Sequence, residues 1–203
     1  MIAPARLVFL PGAGGDPTFW HAAGALLPAA WPKTFLGWPG LGDQKHDPGV
    51  RGLDDLVRLA GAALDAPSAV IAQSMGGIVA VRLALARAER VTHLVLVATS
   101  GGVDVARLGA ADWRADYRRL YPNAAPWILD VRPDHTAEIA RIATPTLLIW
   151  GDRDPISPVA VGAHLASLLP RARLAVVPGG THALAMEHAA TVAALIRDHL
   201  EAV

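Results

Sequence analysis

The chain has 203 residues, 53% of them hydrophobic and 18% charged, and its 18 basic and 18 acidic side chains cancel to a formal charge of zero. This balance argues against a nucleic acid or an anionic membrane as partner, and the absence of cysteine excludes disulfides, thiolate nucleophiles and cysteine-bound metals. Apolar runs are too short for a signal segment or a membrane span, so we expect one cytoplasmic domain over residues 1–203.

Strand-like and helix-like segments alternate along the chain, which predicts βαβ units around a parallel sheet. Six strands are predicted, near Arg6–Leu10, Lys33–Leu36, Ala69–Gln73, His93–Val97, Thr146–Trp150 and Arg173–Val177. Apolar stripes at helical spacing lie between and after them, at Leu53, Leu56, Val57 and Leu64, at Val161, Leu165, Leu168 and Leu169, and at Val192, Leu195, Ile196 and Leu200. The predicted fold class is α/β, a three-layer α/β/α sandwich with a mostly parallel, doubly wound sheet.

Each of the first two strands leads into a glycine-rich turn. The first glycine turn (residues 11–15) reads Pro-Gly-Ala-Gly-Gly, and the second glycine turn (residues 37–42) reads Gly-Trp-Pro-Gly-Leu-Gly. The glycines of the first turn leave a nucleotide-binding alternative open. It is weak, because the dinucleotide fingerprint needs a further glycine where this chain has Pro17, and no Gly-Lys-Ser/Thr phosphate loop is present.

The third strand leads directly to Ser74. Residues 72–77 read Ala-Gln-Ser-Met-Gly-Gly, and a helix is predicted over Ile78–Ala88. A serine between a strand and a helix holds its hydroxyl clear of the backbone only in a strained turn, so we expect Gly76 and Gly77 where the chain passes close to its neighbours. The pattern is that of a nucleophile elbow, with alanine in place of its first glycine. The alternative is a serine that only caps the helix.

Residues 101–143, between the fourth and fifth strands, do not fit the alternation and are predicted to form a small lid. Aromatic residues stand there among Asp and Arg, which indicates short helices with one face turned inward. These rings either complete the core or wall an acyl or aryl pocket. The candidate pocket residues are Trp113 and Trp127 in this segment, and Trp20 and Trp38 near the glycine turns.

The last two strands each end in a loop that carries a candidate catalytic residue. The fifth runs into Gly-Asp-Arg-Asp-Pro, which ends with Asp154 and Pro155, and the sixth runs into Pro-Gly-Gly-Thr-His, which ends with His182. A nucleophilic serine needs a base and an acid that orients the base, and these follow Ser74 in the order known for such sheets. All three lie just past the carboxyl ends of strands, the edge where open parallel sheets build their active sites.

Other titratable residues compete with these three for the same roles. Asp152 lies in the same loop as Asp154 and is the more typical turn residue, while Asp104, after the fourth strand, is a further candidate for the acid. The remaining histidines fall in predicted helices, loops or strand edges, where packing or surface roles are expected. Neither an HExxH pattern nor another convergent spacing indicates zinc, so no metal is predicted.

Taken together, these motifs resemble the α/β-hydrolase superfamily, in particular its small ester-hydrolase-like members. The first glycine turn is similar to the family's H-G-x-G segment, with Pro11 in place of histidine, and the second is similar to its P-G-x-G turn. The segment from Gly151 to Asp154 matches the acid loop, and the segment from Gly180 to His182 is close to the G-H loop with one residue inserted. The resemblance implies a trimmed version of the fold, without the usual first antiparallel hairpin.

The resemblance also implies a mechanism without a cofactor. Ser74 would attack a carbonyl carbon, His182 would act as general base and acid, and Asp154 would orient the imidazole. The oxyanion donors would be the N–H groups of Met75, in the first turn of the helix, and of Ala13, by resemblance. A small ester or acyl compound is the expected substrate. A thioesterase, a lactonase, a C–C hydrolase, a lyase or a non-catalytic binding protein fits the same motifs, since function lives in the site and not in the fold.

Overall fold

The computed structural model describes Pro4 and residues 6–202, so residues 1–3, 5 and 203 of the predicted domain lie outside the described residues. Within the described part, six parallel strands form one sheet in the order β2-β1-β3-β4-β5-β6. They are β1 (Arg6–Leu10), β2 (Lys33–Phe35), β3 (Ser68–Gln73), β4 (Val91–Val97), β5 (Thr146–Gly151) and β6 (Ala172–Val177). The predicted strands and the α/β fold class are confirmed, with strand ends displaced by two residues or fewer.

The helices occupy the connections between the strands. They are α1 (His21–Ala25), α2 (Leu53–Ala62), α3 (Met75–Ala86), α4 (Arg114–Leu120), α5 (Thr136–Ile139), α6 (Val159–Leu168), α7 (Leu184–Glu187) and α8 (Ala189–Glu201). Short 3-10 turns span Pro17–Trp20, Ala106–Leu108 and Pro126–Asp130. Among the described residues, no helix is both long and apolar enough to cross a membrane.

Three of the predicted helical segments have different ends in the structure. Helix α3 begins at Met75, before the predicted start at Ile78, because the glycines that follow the serine adopt helical geometry. It ends at Ala86 because Arg87 leaves the helix with φ −142° and ψ 50°. Leu64 and Leu169, assigned to the stripes of α2 and α6, lie after the ends of those helices and are still only 3% and 4% exposed.

The four central strands, β1, β3, β4 and β5, are buried on both faces, and the alternation of side chains along them divides the core in two. In β1, Leu7 and Phe9 point to one face while Val8 and Leu10 point to the other, and none of the four is more than 1% exposed. The first face is covered by α1 and α8, and the second by α2, α3 and α6. This arrangement leaves the carboxyl edge of the sheet to the loops that follow the strands.

The lid segment (residues 101–143) joins β4 to β5 and packs on the second face. It contains α4 and α5, and its buried side chains Tyr117, Ile128 and Ile139 belong to the larger core cluster. The segment is therefore anchored by apolar burial, while its action as a lid over a substrate stays a prediction.

A pair of buried histidines lies away from the serine. His93, near the start of β4, and His199, in α8, are 1% and 7% exposed, and their rings meet edge to face with centroids 5.6 Å apart. The Nε2 atom of each is buried and has no hydrogen-bond partner among the described residues. Burial lowers the pKa of both rings. That of His199 falls to about 4, with the charges of His93 and Arg173 adding to the effect of burial.

This pair predicts a stability that decreases with acid. His199 is neutral in the fold, whereas in the unfolded chain it binds a proton at its ordinary pKa of 6.5. The contribution of His199 to the free energy of unfolding is therefore fully present above about pH 6.5. As the pH falls towards 4, the free energy of unfolding decreases by up to about 3 kcal/mol on account of this group. Urea unfolding of the parent and of His199→Leu at several pH values measures the effect.

The substitution His199→Leu removes the proton uptake of His199, so the unfolding free energy of this variant should decline less between pH 6.5 and pH 4 than that of the parent. His21, which is exposed and whose ring contacts that of Phe35, provides the control His21→Gln, expected to follow the parent. The same pH slope in all three proteins would contradict the assignment.

Candidate active site

Ser74 occupies the turn between β3 and α3 in a strained conformation. Its φ of 51° and ψ of −123° lie where a residue with a side chain is rarely found. Three hydrogen bonds hold this backbone: Ser74 N–H donates to Val97 O at 3.0 Å, while Ser74 O accepts from Gly77 N–H at 2.9 Å and from the Thr99 hydroxyl. The serine is thus fixed by its own helix and by the end of the neighbouring strand β4.

The two glycines after the serine allow this close packing. A Cβ atom on Gly76 would collide with the carbonyl groups of Leu10 and Pro11, and one on Gly77 would collide with the side chain of Thr99. The expectation that both glycines lie where the chain passes close to its neighbours is confirmed. The start of α3 can therefore pack directly on the ends of β1 and β4.

The side chains of Ser74, His182 and Asp154 meet at the carboxyl edge of the sheet. His182 Nε2 lies 3.0 Å from Ser74 Oγ, and His182 Nδ1 lies 2.7 Å from Asp154 Oδ2. The Asp154 side chain is completely buried, and its other oxygen, Oδ1, accepts hydrogen bonds from the N–H groups of Ile156 at 2.8 Å and Ser157 at 3.0 Å. Both oxygens of the carboxylate are therefore used.

The position of Asp154 decides which nitrogen of His182 carries the proton. A carboxylate only accepts hydrogen bonds, so Nδ1 is the protonated nitrogen, and Nε2 is left as the acceptor for the Ser74 hydroxyl. The His182 side chain is 24% exposed, so a compound from solvent can reach the serine beside it. The arrangement can take a proton from the serine as its oxygen forms a bond.

The other candidate acids lie elsewhere. Asp152 is exposed, and its Oδ1 accepts a hydrogen bond from Gly179 N–H at 2.7 Å, which ties the loop after β5 to the loop after β6. Asp104 is also exposed and accepts from Ala106 N–H at 3.0 Å within its own turn. Of the three acids, Asp154 is the one within hydrogen-bonding distance of His182.

Gln73 is a residue of this site that the sequence analysis missed. It is only 4% exposed, and its Nε2 donates to the backbone oxygen of His182 at 3.1 Å. A Cβ atom on Gly12 would collide with the Gln73 side chain, so the glutamine also packs against the first glycine turn. The available signal was a polar side chain at the end of an apolar strand, directly before Ser74.

The N–H groups of the two candidate oxyanion donors are free to donate a hydrogen bond to a ligand. Neither Ala13 N–H nor Met75 N–H donates a hydrogen bond to another described residue. Met75 opens α3, where N–H groups have no partner within the helix. Gly12 O accepts from Gly15 N–H at 3.1 Å, and peptide planarity turns Ala13 N–H away from that bond. A Cβ on Gly12 would stand 3.0 Å from Ser74 Cβ, so the first glycine turn adjoins the serine.

Trp20 and Trp38 lie in the core, which corrects the expectation that they line a substrate pocket. Trp20 is 1% exposed and Trp38 is 0% exposed. Their indole N–H groups donate to Leu10 O at 2.9 Å and to Pro11 O at 2.8 Å. The rings therefore fix the end of β1 and the start of the first glycine turn, and no surface remains for a substrate.

Trp113 and Trp127 are half-buried in the lid segment against the larger core cluster. The Trp113 ring packs edge to face on Tyr117, with centroids 5.4 Å apart, and the Arg114 guanidinium stands over it at 5.1 Å. Trp127 Nε1 is buried without a hydrogen-bond partner among the described residues. A pocket role for these two indoles stays a prediction.

Across the described ranges, no cluster of three or more His, Cys, Asp or Glu side chains could hold a metal ion.

Comparison with known proteins adds to this geometry. Residues 7–195 match the model of the alpha/beta hydrolase family. The pimeloyl-acyl-carrier-protein methyl ester esterase of Neisseria meningitidis serogroup B is 29% identical over 86% of this chain and 84% of that protein. The structure of a hydrolase from Pseudomonas aeruginosa PA01 is similar to this one with a TM-score of 0.78 at 23% identity. The match covers 98% of this chain and 91% of that one.

A thermophilic esterase from Thermogutta terrifontis is similar to the same degree, with a TM-score of 0.78 at 23% identity over 97% of this chain and 89% of that one. At such identities the likeness to the solved structures shows the fold alone. The family model extends from β1 into α8 and so includes every strand. The chain therefore belongs to the α/β hydrolase family of enzymes.

Proposed function

We propose that the protein hydrolyses a small carboxylic ester, or a related acyl bond, through an acyl-enzyme formed on Ser74. The observation that carries this proposal is the continuous chain of hydrogen bonds from Ser74 Oγ through His182 to the buried carboxylate of Asp154, at 3.0 and 2.7 Å. Such a chain activates a serine hydroxyl that is otherwise a weak nucleophile.

In the first half of the reaction, Ser74 Oγ attacks the carbonyl carbon of the ester while His182 Nε2 takes the hydroxyl proton. The carbonyl double bond opens to a tetrahedral oxyanion, which the N–H groups of Ala13 and Met75 stabilise together with the positive end of α3. Asp154 stabilises the imidazolium that forms. When the oxyanion collapses, the bond to the alcohol breaks, and His182 gives the proton to the departing oxygen.

In the second half, water replaces the alcohol. His182 Nε2 takes a proton from the water, whose oxygen attacks the acyl carbon, and the same two N–H groups hold the second oxyanion. The bond between the acyl carbon and Ser74 Oγ then breaks, and the proton returns to the serine. The carboxylic acid leaves and the enzyme is restored, with no metal or organic cofactor involved.

The relatives suggest where to look for the substrate. The Neisseria meningitidis relative is named for a methyl ester on an acyl chain carried by a protein. A methyl ester of a carrier-bound acyl group is accordingly the first natural-type substrate to test, beside p-nitrophenyl esters of graded chain length. Acyl thioesters and lactones belong in the same panel. Faster turnover of thioesters or lactones than of any ester would transfer the proposal to that bond while keeping the same residues.

The first prediction concerns the nucleophile and the base. Ser74→Ala removes the attacking oxygen and His182→Ala removes the proton acceptor, so each should lower kcat for p-nitrophenyl acetate by about ten-thousandfold or more. A serine-directed phosphonate should label the parent at Ser74, as read by peptide mass spectrometry. Turnover within about tenfold of the parent, in a variant with unchanged thermal stability, would remove that residue from the mechanism.

A second prediction separates the two neighbouring acids. Asp154→Asn removes the charge that stabilises the imidazolium and sets an amide against Nδ1, which favours the wrong tautomer, so kcat should fall about a thousandfold or more. Asp152→Asn is the matched control, because the asparagine oxygen can still accept from Gly179 N–H. We expect Asp152→Asn to stay within about threefold of the parent. The reverse order of the two losses would reassign the acid.

A third prediction concerns Gln73. Gln73→Met keeps the side-chain volume but removes the hydrogen bond to the His182 backbone, so the imidazole is held less firmly and kcat should fall about tenfold, the effect of one hydrogen bond. Gln44→Met is the control, since Gln44 lies in the loop after the second glycine turn and no side-chain hydrogen bond of it is described. Equal kcat values in the two variants would show that Gln73 has no part in positioning His182.

A further inference from the structure

Tyr117, in helix α4 of the lid segment, reaches the first glycine turn through its hydroxyl group. The hydroxyl donates a hydrogen bond to Ala13 O at 2.8 Å and accepts one from Gly42 N–H at 2.9 Å. The side chain is buried, with 7% of the residue exposed, and burial raises the pKa of the phenol. The group is therefore a neutral hydroxyl whose donor and acceptor are both engaged with the backbone of the two glycine turns.

The bond to Ala13 O completes a series along the first glycine turn. The carbonyl groups of Leu10 and Pro11 accept from the buried indoles of Trp20 and Trp38, and the carbonyl group of Gly12 accepts from Gly15 N–H. Ala13 O is the next in line, and its donor is the hydroxyl group of Tyr117 in the lid segment. The middle of the turn thus depends on α4.

This dependence bears on the N–H group of Ala13. The peptide before Ala13 is held by Gly15, and the peptide after it is held by Tyr117, so the two bonds together fix the torsion angles of Ala13. Glycine neighbours on both sides do not restrict the backbone by themselves. The second glycine turn gives further support, because Gly42, at φ 56°, packs so closely on Gly14 that a Cβ atom would collide with the Gly14 carbonyl.

We propose that Tyr117 is a positioning residue for the oxyanion hole, and that through it the lid segment sets the direction of the Ala13 N–H group. The proposal rests on the proposed function, in which that N–H group stabilises the oxyanion. A donor aimed at the oxyanion acts on the transition state more than on the bound ester. Loss of the Tyr117 hydroxyl therefore lowers kcat and leaves KM nearly unchanged.

Tyr121 offers a matched control one helical turn away. Its ring packs on that of Tyr117, with centroids 5.0 Å apart, and its hydroxyl approaches the first glycine turn, 3.8 Å from where a Cβ on Gly14 would stand. The Tyr121 hydroxyl makes no hydrogen bond to any other residue that the structure describes. Tyr121→Phe thus repeats the chemical change of Tyr117→Phe without breaking a bond to the turn.

The experiment compares the parent, Tyr117→Phe and Tyr121→Phe. Tyr117→Phe should lower kcat for p-nitrophenyl esters by about 10- to 100-fold, less than the full loss of an oxyanion donor, with KM within about twofold. The rate at which a phosphonate labels Ser74 should fall in parallel, because that reaction also forms an oxyanion. Tyr121→Phe should stay within about twofold of the parent in all three quantities.

A measurement independent of turnover follows the Ala13 amide directly. Its resonance in a nitrogen-proton correlation spectrum should shift, and its hydrogen exchange should accelerate, in Tyr117→Phe but not in Tyr121→Phe. Equal effects of the two substitutions, or a raised KM at unchanged kcat, would overturn the proposal. If the parent neither cleaves esters nor is labelled at Ser74, the proposed function fails, while the Ala13 amide still decides whether Tyr117 positions the turn.

Discussion

The hydrogen bond between His182 Nδ1 and the buried Asp154 carboxylate is the interaction on which the site depends. It leaves the second imidazole nitrogen facing Ser74 without a proton, which is the state that can accept one. A buried carboxylate is tolerated only when its oxygens are hydrogen-bonded, and here the N–H groups of Ile156 and Ser157 meet that requirement. The loop after β5 therefore has to close tightly around one side chain before the histidine can be oriented.

Close contact between backbones brings the separate loops to that bond. A glycine lies at each of two such contacts, where a side chain would not fit. A Cβ on Gly151 would collide with Gly180, and one on Gly76 would collide with the end of β1. The first contact joins the acid loop to the histidine loop, and the second joins the elbow to the first glycine turn. Larger residues at these positions would separate loops whose functional atoms must lie within about 3 Å of each other. The positions of these glycines thus follow from how closely the loops must approach each other.

The sequence predicted the sheet, the loops at its carboxyl edge and the three side chains that meet there, because strand periodicity and turn residues are local signals. Spacing alone left Asp152 and Asp104 as alternatives to Asp154, since only the folded loop directs one carboxylate to the histidine. The sequence wrongly predicts a pocket position for Trp20 and Trp38, because an aromatic residue near a turn has the same sequence pattern whether it is exposed or buried. Tyr117 was missed as a support of the first glycine turn because its partner Ala13 lies 104 residues away along the chain.

The strain at the serine is balanced locally and not by the fold at large. A residue in this conformation costs about 1–3 kcal/mol, and the three hydrogen bonds to the Ser74 backbone, at about 0.5–1.5 kcal/mol each, are of the same order. Two of those bonds come from Val97 and Thr99, which flank Ala98, itself at φ 47° and held by a bond from its N–H to Ile149 O at 3.1 Å. The strained turn after β3 is thus hydrogen-bonded to a second strained turn after β4. That second turn is itself hydrogen-bonded to β5. Ser74 is consequently held by the edge of the sheet, whereas Ala13, whose N–H group is one of the two proposed oxyanion donors, lies on a glycine turn that the Tyr117 side chain helps to hold.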